Sequence, residues 1–374
     1  MAGVFVYDGI TEEREFQRLT TAGDQAVVAD QAFLAIEAYS GALALHPDSM
    51  AIYLKRGEIY QRQSDFQAAA RDLTMAARLD PTATRPHESL GDVSVTLESY
   101  AEAVQHYRDY VRLDDQNPRV LYKLALVSQR SGRVARAVPL LRQAIALDDQ
   151  FVEAYYLLGL CLTEQGRLKE SRDVLEAAVE QSPGFLEARE VLAGVYRSLG
   201  DQRAELQHID ALAALDRTNP QRHVARGLAY ARAGQTELAV LALGRAAEEH
   251  PDQPQVYEAL GQVWFEIAES RQDHVARGKA LEALSLIPTT AASSTALTLL
   301  GRVRLLDGDT DGAVRALRQA VKRFPVAPDA YLELANLEER AWHWEDANLL
   351  RRQHRALTSS ASAGRPGGTA RPSS

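Results

Sequence analysis

The chain has very little of several residue types on which common classes of protein depend. Its 374 residues include a single cysteine, Cys161, which excludes an internal disulfide framework. The nine histidines are scattered, with none in an H-E-x-x-H pair or beside Cys161 in the sequence. No segment alternates as a strand would, so no Gly-rich phosphate loop follows a strand. The sequence therefore predicts no enzyme, no catalytic residues, no metal site and no cofactor.

Basic charge is also scarce. The chain has 42 Lys and Arg residues against 51 Asp and Glu residues, which gives a net charge of −9. Because the end of the chain holds Arg365 and Arg371 but no acid, the rest carries −11. Nucleic-acid backbones are bound by clustered Lys and Arg, and no single helical face of the predicted helices accumulates them. The sequence predicts no nucleic-acid partner.

Long apolar runs are missing as well. The first ten residues hold Val4, Phe5 and Val6 but no basic segment, and nothing in the sequence approaches the roughly 20 apolar residues that span a bilayer. We therefore expect no membrane insertion by the chain as given, and a cytoplasmic location. A short apolar start followed by acidic residues would also suit the exit from an anchor upstream of Met1, which would make the protein envelope-associated.

Small residues, in contrast, recur at a fixed period of 34. A frame that starts at Phe16 has glycine or alanine at the eighth position of every repeat: Gly23, Gly57, Gly91, Ala125, Gly159, Ala193, Gly227 and Gly261. After six extra residues the frame resumes at Ser294, and its eighth positions are then Gly301 and Ala335. A repeat of this length indicates a stacked array of identical structural units.

The second repeat, residues 50–83, shows what one unit is. Tyr53, Gly57 and Tyr60 are spaced to lie on one face of a first helix. Turn-prone residues follow, and then Ala69 and Leu73 mark the inner face of a second helix. The small residues allow the two helices to approach closely. One such hairpin buries too little apolar surface to fold alone, so stability must come from stacking.

The pattern resembles that of the tetratricopeptide repeat family. The family has an aromatic residue at position 4, Leu at 7, Gly or Ala at 8, Gly near 15, Ala at 20 and 27 and Pro at 32. The fifth repeat matches it with Tyr155, Leu158, Gly159, Gly166, Ser171, Ala178 and Pro183. The resemblance implies an all-α, right-handed α-solenoid of about ten helix-turn-helix repeats, and it says little about function.

The frame divides the chain into five segments. We expect a lead-in at 1–15, eight repeats in continuous register at 16–287, an insert at 288–293, two further repeats with a polar C-terminal cap at 294–357, and a disordered tail at 358–374. Asp273 and Arg277 stand where small and apolar residues belong, so stacking is expected to be weakest there. The region from Asp273 to Ser293 is predicted to be a kink or hinge, or else merely a longer loop.

The resemblance also implies where a partner would bind. In this family the first helices line a concave groove, and positions 2, 5, 9 and 12 or 13 point into it. Position 9 is acidic in the first three repeats, with Asp24, Glu58 and Asp92, and then becomes Leu126 and Leu160, with Leu228 in the seventh repeat. Position 5 contributes Tyr122 and Tyr156.

These positions predict an apolar binding patch with a basic rim. Tyr122, Leu126, Tyr156 and Leu160 form its centre, Leu228 extends it, and Arg130, Arg197 and Arg232 fringe it. Aromatic residues beside arginine are typical of interface hot spots. The alternative is that these side chains pack against neighbouring first helices and expose little. A site in the acidic first three repeats is the other alternative.

One specialised function of the family is not expected. Members that bind chaperone tails grip a C-terminal carboxylate with Lys at position 5 and Asn at positions 6 and 9. In this chain position 6 is never Asn and position 9 is Asn only at Asn336. The sequence therefore predicts no carboxylate clamp.

Together these features predict a non-enzymatic scaffold or adaptor. Its partner is expected to be another protein that offers an extended peptide or a helical segment to the groove. Two alternatives stay open: a recruiting or regulatory subunit of an enzyme complex, and a cell-envelope assembly factor.

Overall fold

The chain is built from helices alone in the part that the structure describes. The computed structural model describes the backbone of residues 2–363 and the side chains of residues 11–359. Within that range it contains twenty α-helices and no strand, which confirms the all-α repeat fold. None of these helices combines the length and the apolar character needed to cross a membrane. The chain divides into two compact units, Met1–Leu199 and Gly200–Ser374.

The first unit is a stack of helical hairpins. Helices pair in chain order as α1 with α2 through α9 with α10, and each hairpin packs on the next, with α11 following α10. The helices are α1 (Ala2–Val28), α2 (Ala32–Leu45), α3 (Met50–Arg62), α4 (Phe66–Leu79), α5 (Thr84–Thr96), α6 (Tyr100–Leu113), α7 (Pro118–Arg130), α8 (Val134–Leu147), α9 (Val152–Glu164), α10 (Leu168–Gln181) and α11 (Leu186–Leu199).

The second unit repeats the arrangement. Its first helix packs on α13, and four hairpins follow, α13 with α14 through α19 with α20. The helices are α12 (Gln202–Leu215), α13 (Pro220–Arg232), α14 (Thr236–Glu249), α15 (Pro254–Arg271), α16 (His274–Ser285), α17 (Ser294–Leu306), α18 (Thr310–Ala320), α19 (Pro328–Arg340) and α20 (Trp344–Ala363).

The helix boundaries follow the 34-residue frame for local reasons. From the second repeat onward, every first helix begins at the first position of the frame. The fourth begins where the Asn117 side chain accepts hydrogen bonds from the backbone N–H groups of Arg119 and Val120, with Pro118 as the first helical residue. The turn to the second helix then requires a positive φ, which Gly132 supplies at 74°.

The recurring glycines lie where the two helices of a hairpin touch. A Cβ added at Gly159 would lie 2.4 Å from Cγ of Leu175, which is fully buried on α10. The glycine at the eighth position faces the side chain 16 residues later in the same way at Gly23, Gly57, Gly91, Gly227 and Gly301. The eighth position is therefore small because the position-24 side chain occupies the space that a Cβ would need.

The eighth repeat departs from this register in a way that the sequence frame missed. Gly261 faces Leu284, 23 residues later rather than 16, and α15 has 18 residues where α13 has 13. Seven residues have thus been added between the glycine and the leucine that it faces. Helix α16 also ends early, so the connection 286–293 has eight residues where the connection after α14, 250–253, has four. The longer loop is therefore present, but the six extra residues are not a simple insert at 288–293.

This shift explains the two residues that break the pattern. Asp273 is the N-cap of α16, where its carboxylate accepts hydrogen bonds from the N–H groups of Val275 and Ala276. Ala280 and Leu284 take the buried places that the frame assigned to Asp273 and Arg277. Ile287 and Ala292, on either side of the expected insert, are buried in the core shared by α15, α16 and α17. The expected weakness in packing is not present at these residues.

We therefore expect no early local opening of the eighth repeat. Because Ala280 and Leu284 are buried as deeply as their counterparts in other repeats, hydrogen exchange of the amides of residues 280–284 should be protected to within about tenfold of residues 175–179. Exchange faster by about a hundredfold or more in residues 280–284 would show that this hairpin is a hinge.

Both ends of the array differ from the expected segments. Helix α1 already begins at Ala2, so the predicted lead-in is part of the first helix. Its described side chains support a helix, since Arg18 donates to Glu15 at 2.6 Å and Gln17 donates to Glu13 at 2.8 Å. Helix α20 continues to Ala363, six residues into the predicted tail. The remaining tail, 364–374, lies outside the described residues.

A buried carboxylate in the last hairpin makes the stability of the second unit pH-dependent. Glu338 is 8% exposed and accepts hydrogen bonds from Arg318 at 2.9 Å and from His343 at 2.7 Å. The hydrogen bonds from Arg318 and then His343 hold the pKa of Glu338 below its usual value of 4.5. Its ionised form thus contributes stability above the unfolded pKa, and that contribution is lost as the pH falls through the folded value.

Substitution of Glu338 tests this dependence. Glu338→Gln should lower the melting temperature at about pH 6, and the difference from the unmodified chain should shrink as the pH is lowered to about 3. Thermal melts over this range, followed by circular dichroism, measure it. A difference that stays constant with pH would show that the carboxylate charge does not stabilise the hairpin.

Candidate partner-binding groove

The four central residues of the predicted patch lie on two neighbouring first helices of the first unit. Tyr122 and Leu126 are one turn apart on α7, and Tyr156 and Leu160 hold the equivalent places on α9. Helices α7 and α9 contact each other directly. All four side chains are partly buried, so each packs on the core and still presents surface to solvent. The structure therefore brings these four residues together on one side of the stack.

Each tyrosine rests on a phenylalanine from the end of its own repeat. The ring centroids of Tyr122 and Phe151 are 5.1 Å apart at an interplanar angle of 51°, and those of Tyr156 and Phe185 are 5.1 Å apart at 53°. Tilted pairs at this distance stabilise each other beyond simple burial. The tyrosines therefore pack on the core and also keep an exposed edge. The two alternatives from the sequence, an exposed binding patch and side chains that pack on their neighbours, each describe part of these rings.

Acidic side chains surround the tyrosines. Burial raises the pKa of Tyr122, and the charge of Glu153 raises it further, whereas nearby Arg130 lowers it. Burial likewise raises the pKa of Tyr156, with Glu187 and Glu190 adding to the effect. Both phenols are therefore neutral hydrogen-bond donors beside carboxylates at neutral pH. The two phenols therefore lie near carboxylates, and Arg130 is also close to Tyr122.

The three rim arginines are placed differently from one another. Arg130 is exposed at the end of α7, with its guanidinium carbon 5.7 Å from the ring centroid of Tyr100. Arg197 is exposed on α11 of the same unit. Arg232 belongs to the second unit, where its guanidinium donates to the buried carboxylate of Glu205 at 2.7 Å.

The predicted patch is consequently divided between the two compact units. Leu228, like Arg232, lies on α13 of the second unit, where it packs partly buried against the core of α14 and α15. The residues that share one unit are Tyr122, Leu126, Arg130, Tyr156, Leu160 and Arg197.

The acidic residues of the first repeats are held in ion pairs that were not predicted from the sequence. The Asp24 carboxylate accepts from the Tyr39 hydroxyl at 2.6 Å and from Lys55 at 2.7 Å. Asp92 repeats the arrangement two repeats later, with Tyr107 at 2.6 Å and Lys123 at 2.9 Å. The signal was present in the sequence, because each set has the same spacing of 15 and 31 residues from the aspartate.

The third acidic residue is paired as well. Glu58 accepts from Arg85 of the next repeat at 2.7 Å, and both residues line a pocket of about 490 Å³ together with Asp24 and Lys55. The negative charge at position 9 in these repeats is thus balanced by basic residues of the same protein. This balance lowers the attraction of the acidic repeats for a basic partner.

The lone cysteine is not a reactive site. Cys161 lies on α9 with none of its surface exposed, and burial raises the pKa of its thiol to about 12. A thiol that stays protonated at neutral pH is a poor nucleophile. Cys161 therefore acts as a small apolar residue of the core.

Among the described side chains, three sets come close enough to share a metal ion, although the sequence gave no such signal. Their ligand atoms lie within 4.8 Å of one another in His87–His106–Asp109, His223–Glu249–His250 and Glu338–His343–Asp346. In the first set Asp109 is already paired with Arg112 at 2.8 Å, and in the third Glu338 is paired with Arg318. In the second, His223 Nδ1 lies 3.4 Å from the guanidinium of Arg226. A neighbouring arginine disfavours a cation in each set.

Comparison with known proteins agrees with the repeat pattern. A family model described as the cilia and flagella-associated protein 70 C-terminal domain matches residues 19–199, and a tetratricopeptide repeat model matches residues 224–268 and 298–347. Small glutamine-rich tetratricopeptide repeat-containing protein 2 of Mycosarcoma maydis is 29% identical over 114 residues, which are 30% of this chain. The match spans 32% of that relative's own length.

Solved structures include similar helical arrays. YrrB, described as a TPR protein with an unusual peptide-binding site, is 24% identical with a TM-score of 0.45, over 48% of this chain and 93% of YrrB. A tetratricopeptide repeat protein from Parabacteroides merdae is 17% identical with a TM-score of 0.47, over 67% and 99%. Naa15/Naa10 bound to HypK-THB is 14% identical with a TM-score of 0.45, over 93% and 64%.

The sustained 34-residue frame, the helical hairpins and the matching family models lead to one identification. The chain is a tetratricopeptide repeat protein. Proteins built from these repeats generally serve as scaffolds for protein–protein interaction.

Proposed function

We propose that the protein is a non-enzymatic adaptor whose first unit binds a segment of a partner protein along the first helices α7, α9 and α11. The observation that carries the proposal is the alignment of Tyr122 and Leu126 with Tyr156 and Leu160, all partly exposed, on two touching helices. Partly exposed aromatic and leucine side chains held rigidly side by side offer apolar surface at a small cost in side-chain entropy.

The neighbouring acidic repeats are less suited to be the centre of the site. Asp24, Glu58 and Asp92 already accept hydrogen bonds from Lys55, Arg85 and Lys123. A partner that paired with these carboxylates would have to displace existing ion pairs and would gain little. Among the described side chains, none forms a hydrogen bond or ion pair with the exposed edges of Tyr122 and Tyr156.

The surrounding charge indicates the chemistry of the partner. Glu153 and Glu187 lie near the two tyrosines, so a bound segment with apolar side chains and flanking Lys or Arg would satisfy both the patch and its surroundings. Arg130 is the last residue of α7, the helix that carries Tyr122. Arg197 lies near the C-terminal end of α11, the helix that begins beside Glu187. We propose that the partner segment is amphipathic and basic where it passes the glutamates.

Site-directed photo-crosslinking tests the location. A benzoylphenylalanine at position 156 of the full chain should capture a partner from cell extract, and mass spectrometry would identify the captured protein. The same residue at position 147 is the matched control, because Leu147 is 39% exposed at the end of α8, away from the first helices.

The two positions give opposite expectations. Crosslinks at position 156 that are missing at position 147, and that the unlabelled chain competes away, support the groove. Equal capture at both positions, or capture at position 147 alone, would contradict it.

A further inference from the structure

A second concave surface lies in the same unit, away from the groove. It is a pocket of about 480 Å³ between α6 and α8, with α7 as its floor. Leu124 and Ser128 form that floor and are 3% and 1% exposed. Leu124 is two residues from both Tyr122 and Leu126, and two residues on an α-helix are about 200° apart. The pocket therefore opens on the side of α7 opposite to the groove.

The walls of the pocket are aliphatic. Val111 of α6 and Ala135, Pro139 and Leu140 of α8 contribute them, over the Leu124 floor. A concave apolar surface of this volume is typical of ligand and peptide sites. The pocket can therefore take one large apolar side chain from a partner.

Three arginines stand at the rim of this apolar pocket. Arg108 and Arg112 are one turn apart on α6, and Arg136 faces them from α8. Arg112 is paired with Asp109 at 2.8 Å but is 71% exposed. Within the described residues, Arg108 and Arg136 have no hydrogen bond or ion pair. Two guanidinium groups are thus available for an anion.

The three arginines come from two neighbouring repeats of different charge. Arg136 lies in the fourth repeat, residues 118–151, which has six Lys and Arg residues against two Asp, whereas Arg108 and Arg112 lie in the third repeat, residues 84–117, which has three Lys and Arg residues against seven Asp and Glu. No single helix carries a basic face, so the sequence did not predict one. The cluster forms because α6 and α8 both pack on α7.

Pro139 adds a feature that ordinary helix positions lack. It lies inside α8, so the carbonyl of Ala135 has no N–H partner four residues later. Ala135 and Pro139 both line the pocket. A backbone acceptor without its helical partner therefore lies beside the apolar walls, where a ligand N–H group could reach it.

We propose that this pocket, lined by α6, α7 and α8, is a second docking site, and that it takes an acidic amphipathic peptide segment of a partner protein. One large apolar side chain of the segment enters the pocket, and Asp or Glu residues beside it pair with Arg108, Arg112 and Arg136. The combination of an apolar cavity with a rim of arginine selects this chemistry over a purely apolar or a basic segment. The proposal is independent of the groove, because the two surfaces share no side chain.

Peptide selection on the full-length chain tests the proposal. Random 12-residue peptides displayed on phage would be selected on the chain, and fluorescein-labelled copies of the enriched peptides measured by fluorescence anisotropy. We expect a large apolar residue with Asp or Glu on either side. Arg108→Ser with Arg136→Ser should weaken such a peptide by about tenfold or more, because two charge-assisted contacts are lost.

The matched control removes the same charge elsewhere. Arg71→Ser with Arg78→Ser changes two exposed arginines of α4, an earlier second helix of the same unit, and should leave the affinity unchanged. Circular dichroism melts of both double variants establish that each is folded.

Three outcomes would overturn the proposal. The first is enrichment of peptides without acidic residues, and the second is an equal loss of affinity in both double variants. The third is self-association of the chain, measured by sedimentation, that the Arg108 and Arg136 substitutions abolish, since this would assign the surface to a second copy. Acidic peptides that lose affinity only in the Arg108 and Arg136 variant establish the site.

Discussion

Replacement of Gly159 by leucine is expected to destabilise the first unit by about 3 kcal/mol, at the upper end of the range for overpacked cores. A Cβ at position 159 would lie 2.4 Å from Cγ and 2.5 Å from Cδ2 of Leu175. Leu175 is fully buried, so it has no free space into which it can move. The helices α9 and α10 would have to separate, and chemical denaturation of the chain would measure the loss.

Gly194 provides the matched control. It lies in α11 of the same unit, and a Cβ at this position would meet nothing within 4 Å. Gly194→Leu should therefore leave stability unchanged or raise it by about 0.5–1 kcal/mol, because glycine is a poor helix former. Equal destabilisation by the two substitutions would show that the eighth position is not a contact between helices.

Truncation of the two groove tyrosines is expected to have the largest effect on binding. Tyr122→Ala with Tyr156→Ala removes both aromatic anchors of the proposed site. A hot-spot aromatic contributes about 2 kcal/mol on truncation, so the pair should weaken a complex of about micromolar affinity toward the millimolar range, close to a thousandfold. Isothermal titration calorimetry with the crosslinked partner, once purified, measures the change.

Because both rings also pack on phenylalanine, the double variant should melt at a lower temperature, and binding must be measured well below its transition. Tyr155→Ala is the matched control. Tyr155 precedes Tyr156 on α9 and packs against the core shared by α10 and α11, so its truncation should lower stability without loss of affinity. An unchanged affinity in the double variant would place the binding site elsewhere.

The repeat architecture could be predicted from the sequence because its physical cause is local. A position that must be small recurs every 34 residues, and each such glycine or alanine lies where the two helices of one hairpin touch. The pairing of Gly159 with Leu175, and of Gly23 with Tyr39, needs no information from outside the repeat. The fold class and the start of most helices followed from this signal.

The eighth repeat shows where such a signal fails. Seven added residues make about two helical turns, so the face that Ala280 and Leu284 present to α15 is retained while the count of residues changes. A frame of fixed length therefore assigned the contact to Asp273 and Arg277 and placed the extra residues after the hairpin. Packing fixes which face of each helix is buried, and it does not fix the number of residues in the repeat.

Only part of the candidate site could be predicted from the sequence, and the reason is a different one. The stripe of Tyr122 and Leu126 beside Tyr156 and Leu160 follows from helical spacing, and the structure brings these residues together. The pairing of Arg232 with Glu205, and the cluster of arginines around the α6–α8 pocket, depend on contacts between different helices. Periodicity along one helix contains no information about such contacts.

The most direct test of the groove is methyl NMR of the complex. With the leucine methyl groups labelled and the captured partner segment added, the signals of Leu126 and Leu160 should shift and show cross-saturation from the partner. The methyl groups of Leu238, 46% exposed on α14, serve as the reference. Cross-saturation at Leu126 and Leu160 is the result that we predict. Cross-saturation confined to other leucines, with those two unchanged, would contradict the proposed binding surface.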